Sequence, residues 1–131
     1  MPIHIETLLE EDHLRINFSG AYESRDLAQL IKDILSLCKK HHYKKVLFDS
    51  QKVEGNIPLA DTFKFGQMLS AARAQGIRFA FLCSPDQIHH DRFFENVTLT
   101  RGITAKVSTD AEELMDWLKV KRAKHATKKN R

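Results

Sequence analysis

Only two cysteines occur, Cys38 and Cys83, both inside apolar stretches and neither in a C-x-x-C pair. A disulfide framework is therefore not expected, and two buried thiols in a reducing compartment are. The five glycines are scattered, with no G-x-G-x-x-G or Walker pattern, so a Gly-rich phosphate cradle is excluded. There is no G-x-S-x-G elbow, and neither thiol has a neighbouring base or a helix N-terminus to activate it. No apolar run approaches the roughly 20 residues of a bilayer span. The opening M-P-I-H-I-E-T has neither the basic region nor the apolar stretch of a signal peptide, so a cytoplasmic protein is expected. Seven histidines are present, but His41-His42 and His89-His90 are adjacent pairs. Neighbours on a helix diverge by about 100°, so neither pair converges on a metal, and no metal or other cofactor is expected.

What is present begins with 131 residues, 42% of them hydrophobic, which suits one compact domain. The net charge of +4 is unevenly distributed. Residues 119–131 carry seven of the 21 basic side chains, Lys119, Lys121, Arg122, Lys124, Lys128, Lys129 and Arg131, and none of the 17 acidic ones. Residues 1–118, the expected domain, therefore carry 14 basic against 17 acidic side chains, about −3. The tail is either a frayed terminus or a weak contact for anionic membrane or nucleic acid. It has no aromatic residue on which a single-stranded base would stack.

Periodicity predicts the elements. Ile3, Ile5 and Leu8, then Leu14, Ile16 and Phe18, form two short alternating segments joined by Glu10-Glu11-Asp12-His13, a hairpin broken after its second strand by Gly20. Apolar residues at 27, 30, 31, 34, 35 and 38 form one helical face, closed by Lys39, Lys40 and the histidine pair. Val46-Leu47-Phe48 is a short buried strand. Gly55, Asn56 and Pro58 mark a loop before a helix carrying Phe63, Gly66, Met68, Leu69 and Ala72, which Gly76 ends. Phe79 to Cys83 is a second buried strand, followed by an amphipathic segment around Phe93, Phe94 and Val97. A strand from Ala105 to Val107 and a last helix complete the chain, with Asp110 and Glu113 spaced as a capping box. Strands alternating with helices after an opening hairpin predict an α/β fold with a mixed, mostly parallel sheet.

One carboxylate, Asp49, stands at the predicted end of a buried strand as a candidate general base, but no second catalytic group accompanies it. In a parallel α/β sheet the carboxyl ends of the strands form the ligand-binding edge, which here would hold Asp49-Ser50 and Ser84-Pro85-Asp86, with the pair Asp61-Thr62 nearby at the start of the second helix. Asp61-Thr62 is either an anion-binding helix start or an ordinary one.

Four stretches carry a family resemblance: V-L-F-D-S-Q-K-V-E-G, D-T-F-K-F-G-Q-M-L, G-I-R-F-A-F-L and L-T-R-G-I-T-A-K-V-S-T-D-A-E-E-L-M-D-W-L. Over residues 3–118 the chain resembles the SpoIIAA-like superfamily, which contains STAS domains and is related in fold to CRAL-TRIO lipid-transfer domains. The resemblance implies a layered α/β fold working as a non-enzymatic regulatory or protein-interaction module. Its implied partner-binding rim is Asp49, Ser50, Val53, Glu54, Asp61 and Thr62. Antagonists of this family are switched by phosphorylation of a Ser in D-S-S or D-S-T at the start of the second helix. Asp61-Thr62-Phe63 stands there in this chain, after a longer loop, so Thr62 is the implied phosphorylation position. The CRAL-TRIO kinship implies an alternative, a small apolar-ligand or lipid carrier using Phe63, Phe65, Phe93 and Phe94. Against it stands the reading that these rings fill the core.

Overall fold

The computed structural model describes residues 4–21, 27–54, 59–87, 95 and 102–120, and within α2 the side chains of Leu59, Ala60, Thr62 and Phe63 lie outside the described set. The elements are β1 (His4–Leu9), β2 (Leu14–Ala21), α1 (Leu27–His41), β3 (Lys45–Glu54), α2 (Leu59–Leu69), β4 (Arg78–Leu82), β5 (Thr104–Ser108) and α3 (Ala111–Leu118), with short 3₁₀ turns at Ser70–Gln75 and Pro85–Gln87. The segment expected around Phe93, Phe94 and Val97 and the basic tail beyond Val120 lie outside the described residues.

The sheet runs β1-β2-β3-β4-β5 in chain order. β1 pairs antiparallel with β2, and the other three pairings are parallel. Successive parallel neighbours that always step the same way put right-handed crossovers on one face of the sheet. Accordingly α1 (Ile31, Ile34, Cys38) and α2 (Leu69, Phe65, Met68) share a core with Leu14, Ile16, Val46, Phe48, Phe79, Phe81 and Val107. Alternation sends Leu47, Ala80 and Leu82 to the opposite face, where Leu114 and Leu118 of α3 cover them. Beside α3, that second face continues over β2 as the polar alternates Arg15 and Asn17.

The first core is organised by phenylalanines. The Phe48 ring lies 4.8 Å from Phe81 at 3° and 6.1 Å from Phe79, with Phe18 stacked at 5.9 Å. Phe65 of α2 meets Phe48 edge-on at 6.0 Å and Phe81 at 6.3 Å. Four rings from three adjacent strands, two of them from β4, thus form a platform that Phe65 of α2 meets edge-on.

The termini of the helices show why they stop. At the end of α1, His42 takes φ 62° and the Tyr43 amide donates to the Cys38 carbonyl at 2.9 Å, a Schellman closure. α3 starts at Asp110, whose carboxylate accepts from the Glu112 amide at 2.9 Å. The expected reciprocal bond from Glu113 runs instead through Ser108. The Ser108 hydroxyl accepts from the Asp110 amide at 2.9 Å and donates to Glu113 at 2.6 Å. At the other end, Lys45 Nζ and Arg78 Nη2 donate to the carbonyls of Lys119 and Trp117 at 2.7 and 2.8 Å, placing cations at the negative end of the helix. The Arg78 guanidinium also lies over the Trp117 ring at 4.3 Å.

Both cysteines are buried and neither is in a disulfide, as their apolar surroundings suggest. Burial pushes the Cys38 thiol from 9.0 up to about 11, against a smaller opposing pull from Lys44. An acid whose folded pKa is raised is protonated in the native state while the unfolded chain has already ionised. Stability is therefore fully present below about pH 9 and falls as pH rises, by up to about 1.4 kcal/mol per unit until about pH 11. The Tyr43 phenol, raised by burial and then by Glu10, Cys38 and Asp12, adds a loss of the same sign. Urea unfolding at about pH 8 and about pH 10 should show a drop on the order of 1 kcal/mol from the thiol alone. That share is the part of the drop which Cys38→Ala abolishes. An equal drop in both proteins would show that the thiol is not the titrating group.

Candidate functional site

β3 does not end at Phe48. It continues ten residues from Lys45 to Glu54, and β2 stays paired with it through Gly20↔Val53 and Ala21↔Glu54. Gly20, with φ 90°, is therefore inside β2 rather than a break in it. The extension is irregular. Asn17 faces Asp49 but Ser19 faces Lys52, so β3 spends one residue more than β2 between these pairs. That is a β-bulge at Ser50-Gln51, opposite Phe18.

The Asp-Ser pair supplies the chemistry of the bulge. The Asp49 carboxylate accepts from the amide of Gln51 at 3.1 Å, an Asx turn that takes up a donor displaced from the ladder. Ser50 Oγ donates to the Leu82 carbonyl at 3.2 Å, just where β4 leaves the sheet. The other Asp49 oxygen accepts from Arg15 Nη2 at 3.0 Å, and the two side chains are only 18% and 20% exposed. Arg15 Nε donates to Asn17 Oδ1 at 3.0 Å, and Asn17 Nδ2 donates to Glu6 at 3.1 Å. Glu6, Asn17, Arg15 and Asp49 form a continuous polar chain across β1, β2 and β3, on the sheet face beside α3.

Both Asp49 oxygens are thus held by donors of this chain, which makes the residue a positioning group for the bulge. Val53 is half-buried and Glu54 exposed near the end of β3, and Asp61 is half-buried in the first turn of α2. Thr62 is placed in the same turn by its backbone. The structure brings Asp49 and Ser50 together with the end of β4, while the linking residues 55–58 lie outside the described set. Arg15, Asn17 and Glu6 were not singled out from the sequence, although Arg15 and Asn17 are the polar alternates of an otherwise apolar strand. That alternation was the available signal.

Among the described residues no group of three or more His, Cys, Asp or Glu converges on a metal-sized site. No helix among them is long and apolar enough to cross a membrane. Phe65, one of the rings considered for an apolar ligand, belongs to the core stack. The other three lie outside the described side chains.

A five-stranded mixed sheet with an antiparallel first pair and helices packed on it is the SpoIIAA-like α/β fold. The chain is similar in structure to an anti-sigma factor antagonist from Mycobacterium paratuberculosis, with a TM-score of 0.60 and 10% identity over 90% of this chain and 95% of that one. It is also similar to an uncharacterised protein with a SpoIIAA-like fold from Shewanella loihica, with a TM-score of 0.55 and 17% identity over 88% and 93%. No protein-family model matches the chain, and no curated protein does.

Proposed function

We propose that the chain is a non-enzymatic, cytoplasmic STAS-like regulatory module that binds a protein partner. The binding surface in this reading is the rim from Asp49 through Ser50, Val53 and Glu54 to Asp61 and Thr62. The observation that most directly supports it is a fold shared over nine-tenths of the chain with a protein named as an anti-sigma factor antagonist. The engagement of both Asp49 oxygens by Arg15 and the Gln51 amide supports it against a general-base role. The tail cations Lys119, Lys121, Arg122, Lys124, Lys128, Lys129 and Arg131 would add a weak electrostatic contact with anionic membrane or nucleic acid.

Thr62 is the proposed switch, since a phosphate in the first turn of a helix meets unpaired amides and the positive end of the dipole. Ser50 is the poorer candidate because its hydroxyl already serves the Leu82 carbonyl. Phosphopeptide mass spectrometry on protein from its native cell should find Thr62 modified and Ser50 bare, and Thr62→Glu should weaken capture of the partner at least tenfold (about 1.4 kcal/mol). The opposite phosphorylation pattern would move the switch to the bulge. A stoichiometric lipid recovered by organic extraction would replace the regulatory reading with that of an apolar-ligand carrier.

A further inference from the structure

The two edges of the sheet are treated differently. On β5, the outward amide of Val107 is taken up by the Glu95 carboxylate at 2.6 Å, and Lys106 adds a charge to that short strand. Such devices close an edge to further pairing. β1, the opposite edge, contains neither Lys nor Pro, and no described strand lies on its outer side.

The direction of its main-chain groups follows from the hairpin. The Glu10 amide donates to the His13 carbonyl at 3.0 Å, so that pair is a hydrogen-bonded one. Pairs alternate along the register. His4, Glu6 and Leu8 therefore turn their main-chain groups toward β2, while Ile5, Thr7 and Leu9 turn theirs outward. The side chains of Ile5, Thr7 and Leu9 share the α1 face of the sheet. There, Ile5 and Thr7 line a mostly apolar groove of about 240 Å3 with Leu30, Ile34 and Leu37 of α1, which Gln29 and Asp33 also border. Leu9, at 45%, is the large apolar side chain left most exposed among the described residues. Open hydrogen-bonding groups, an apolar groove and an exposed leucine thus meet on one strand, the combination that accepts an added strand.

We propose that the occupant is β1 of a second copy, paired antiparallel across a twofold axis at Thr7 to give a continuous ten-stranded sheet. The choice of a second copy rests on self-complementarity. With Thr7 facing Thr7, Ile5 faces Leu9 of the partner copy and Leu9 faces Ile5, so the exposed leucine is covered from both sides. On the other face Glu6 meets Leu8, and His4 meets the position of Glu10, which follows β1 and has a buried side chain. Shifting the register by two residues one way sets Glu6 against Glu6. Shifting it as far the other way sets Glu6 against Glu10. Like charges directly opposite are destabilising. The shift that pairs Ile5 with Ile5 brings no like charges together but leaves Leu9 uncovered. The Thr7-centred register is the one that both separates like charges and buries Leu9. This inference is independent of the rim and of Thr62, which lie on β3 and α2.

Sedimentation equilibrium of the full chain should show the average mass rising with concentration toward twice 15.1 kDa. Thr7→Pro removes an outward amide and leaves the β1–β2 ladder its bonds, while Leu9→Lys puts a charge on the exposed edge. Each should hold the chain at its monomer mass with an unchanged circular dichroism spectrum. The register has its own test. A short bifunctional thiol cross-linker should capture Thr7→Cys as a dimer, since the two Thr7 positions form a hydrogen-bonded pair with Cα atoms about 5.5 Å apart. Lys52→Cys, exposed on β3, should not cross-link. A monomer at every concentration, or a dimer that both edge variants leave intact, would overturn the proposal. A dimer lost in both edge variants but not captured by Thr7→Cys would overturn the Thr7-centred register.

Discussion

Phe48→Ala is expected to cost about 3–5 kcal/mol of folding stability, enough to leave a domain of ordinary stability partly unfolded at room temperature. The ring is 2% exposed and is the hub of the aromatic platform, touching Phe18, Phe79 and Phe81 in stacked geometry and Phe65 edge-on. Truncation removes its transfer free energy and opens a void between the sheet and α2. The cavity cannot collapse easily, because its walls are strands locked in register on both sides of β3. The aromatic pairs add about 0.5–1.5 kcal/mol each beyond simple burial, so Phe48→Leu, which keeps most of the volume, should still lose about 1–2 kcal/mol. Denaturant midpoints measure both, and near-ultraviolet circular dichroism should report the lost ring packing in the alanine variant. A cost below about 1.5 kcal/mol for Phe48→Ala would mean that Phe65 and α2 do not depend on the platform.

Asp49→Ala should cost about 2 kcal/mol, and Asp49→Asn less than half of that. The alanine variant loses two interactions of different kinds. One is the Arg15 ion pair, between side chains about one-fifth exposed, so its worth lies between that of a surface pair and a buried one. The other is the bond from the Gln51 amide that closes the bulge, worth about 1 kcal/mol. Asparagine keeps an acceptor for the amide and a weaker one for Arg15. The pair of variants therefore separates turn chemistry from charge. Equal losses would show that the ion pair alone matters. Hydrogen exchange at Gln51 and Lys52 adds a local readout, since only the alanine variant should deprotect them. The same variants bear on function. If partner binding needs the bulged course of β3, Asp49→Ala should weaken it while Asp49→Asn retains most of it.

The order of elements was legible because the signals are local. An apolar stripe at helical spacing over 27–38, a three-residue apolar core at Val46–Phe48 and the Asp110 cap each reflect covalent periodicity or a bond spanning a few residues. The resemblance of four motifs to one superfamily agreed with the fold found in space.

What the sequence could not decide lies where a residue's partner is far along the chain. D-S-Q-K-V-E looks like a loop because it is polar, and in isolation it would be one. It is strand because β2 supplies a ladder on one side and a bulge absorbs the mismatch. Asp49 reads as an exposed carboxylate until Arg15, 34 positions earlier, is brought to 3.0 Å. The Glu113 capping bond passed to Ser108, because a hydroxyl from β5 reached the site. The open edge of β1 is likewise a property of strand order, since an edge exists only once the sheet is assembled. Local composition thus determined the order of the helices and strands and where the apolar core must be. Tertiary structure alone decided that V-L-F-D-S-Q-K-V-E is one bulged strand with its aspartate held in place, since only folding brings the donors that hold it within bonding distance.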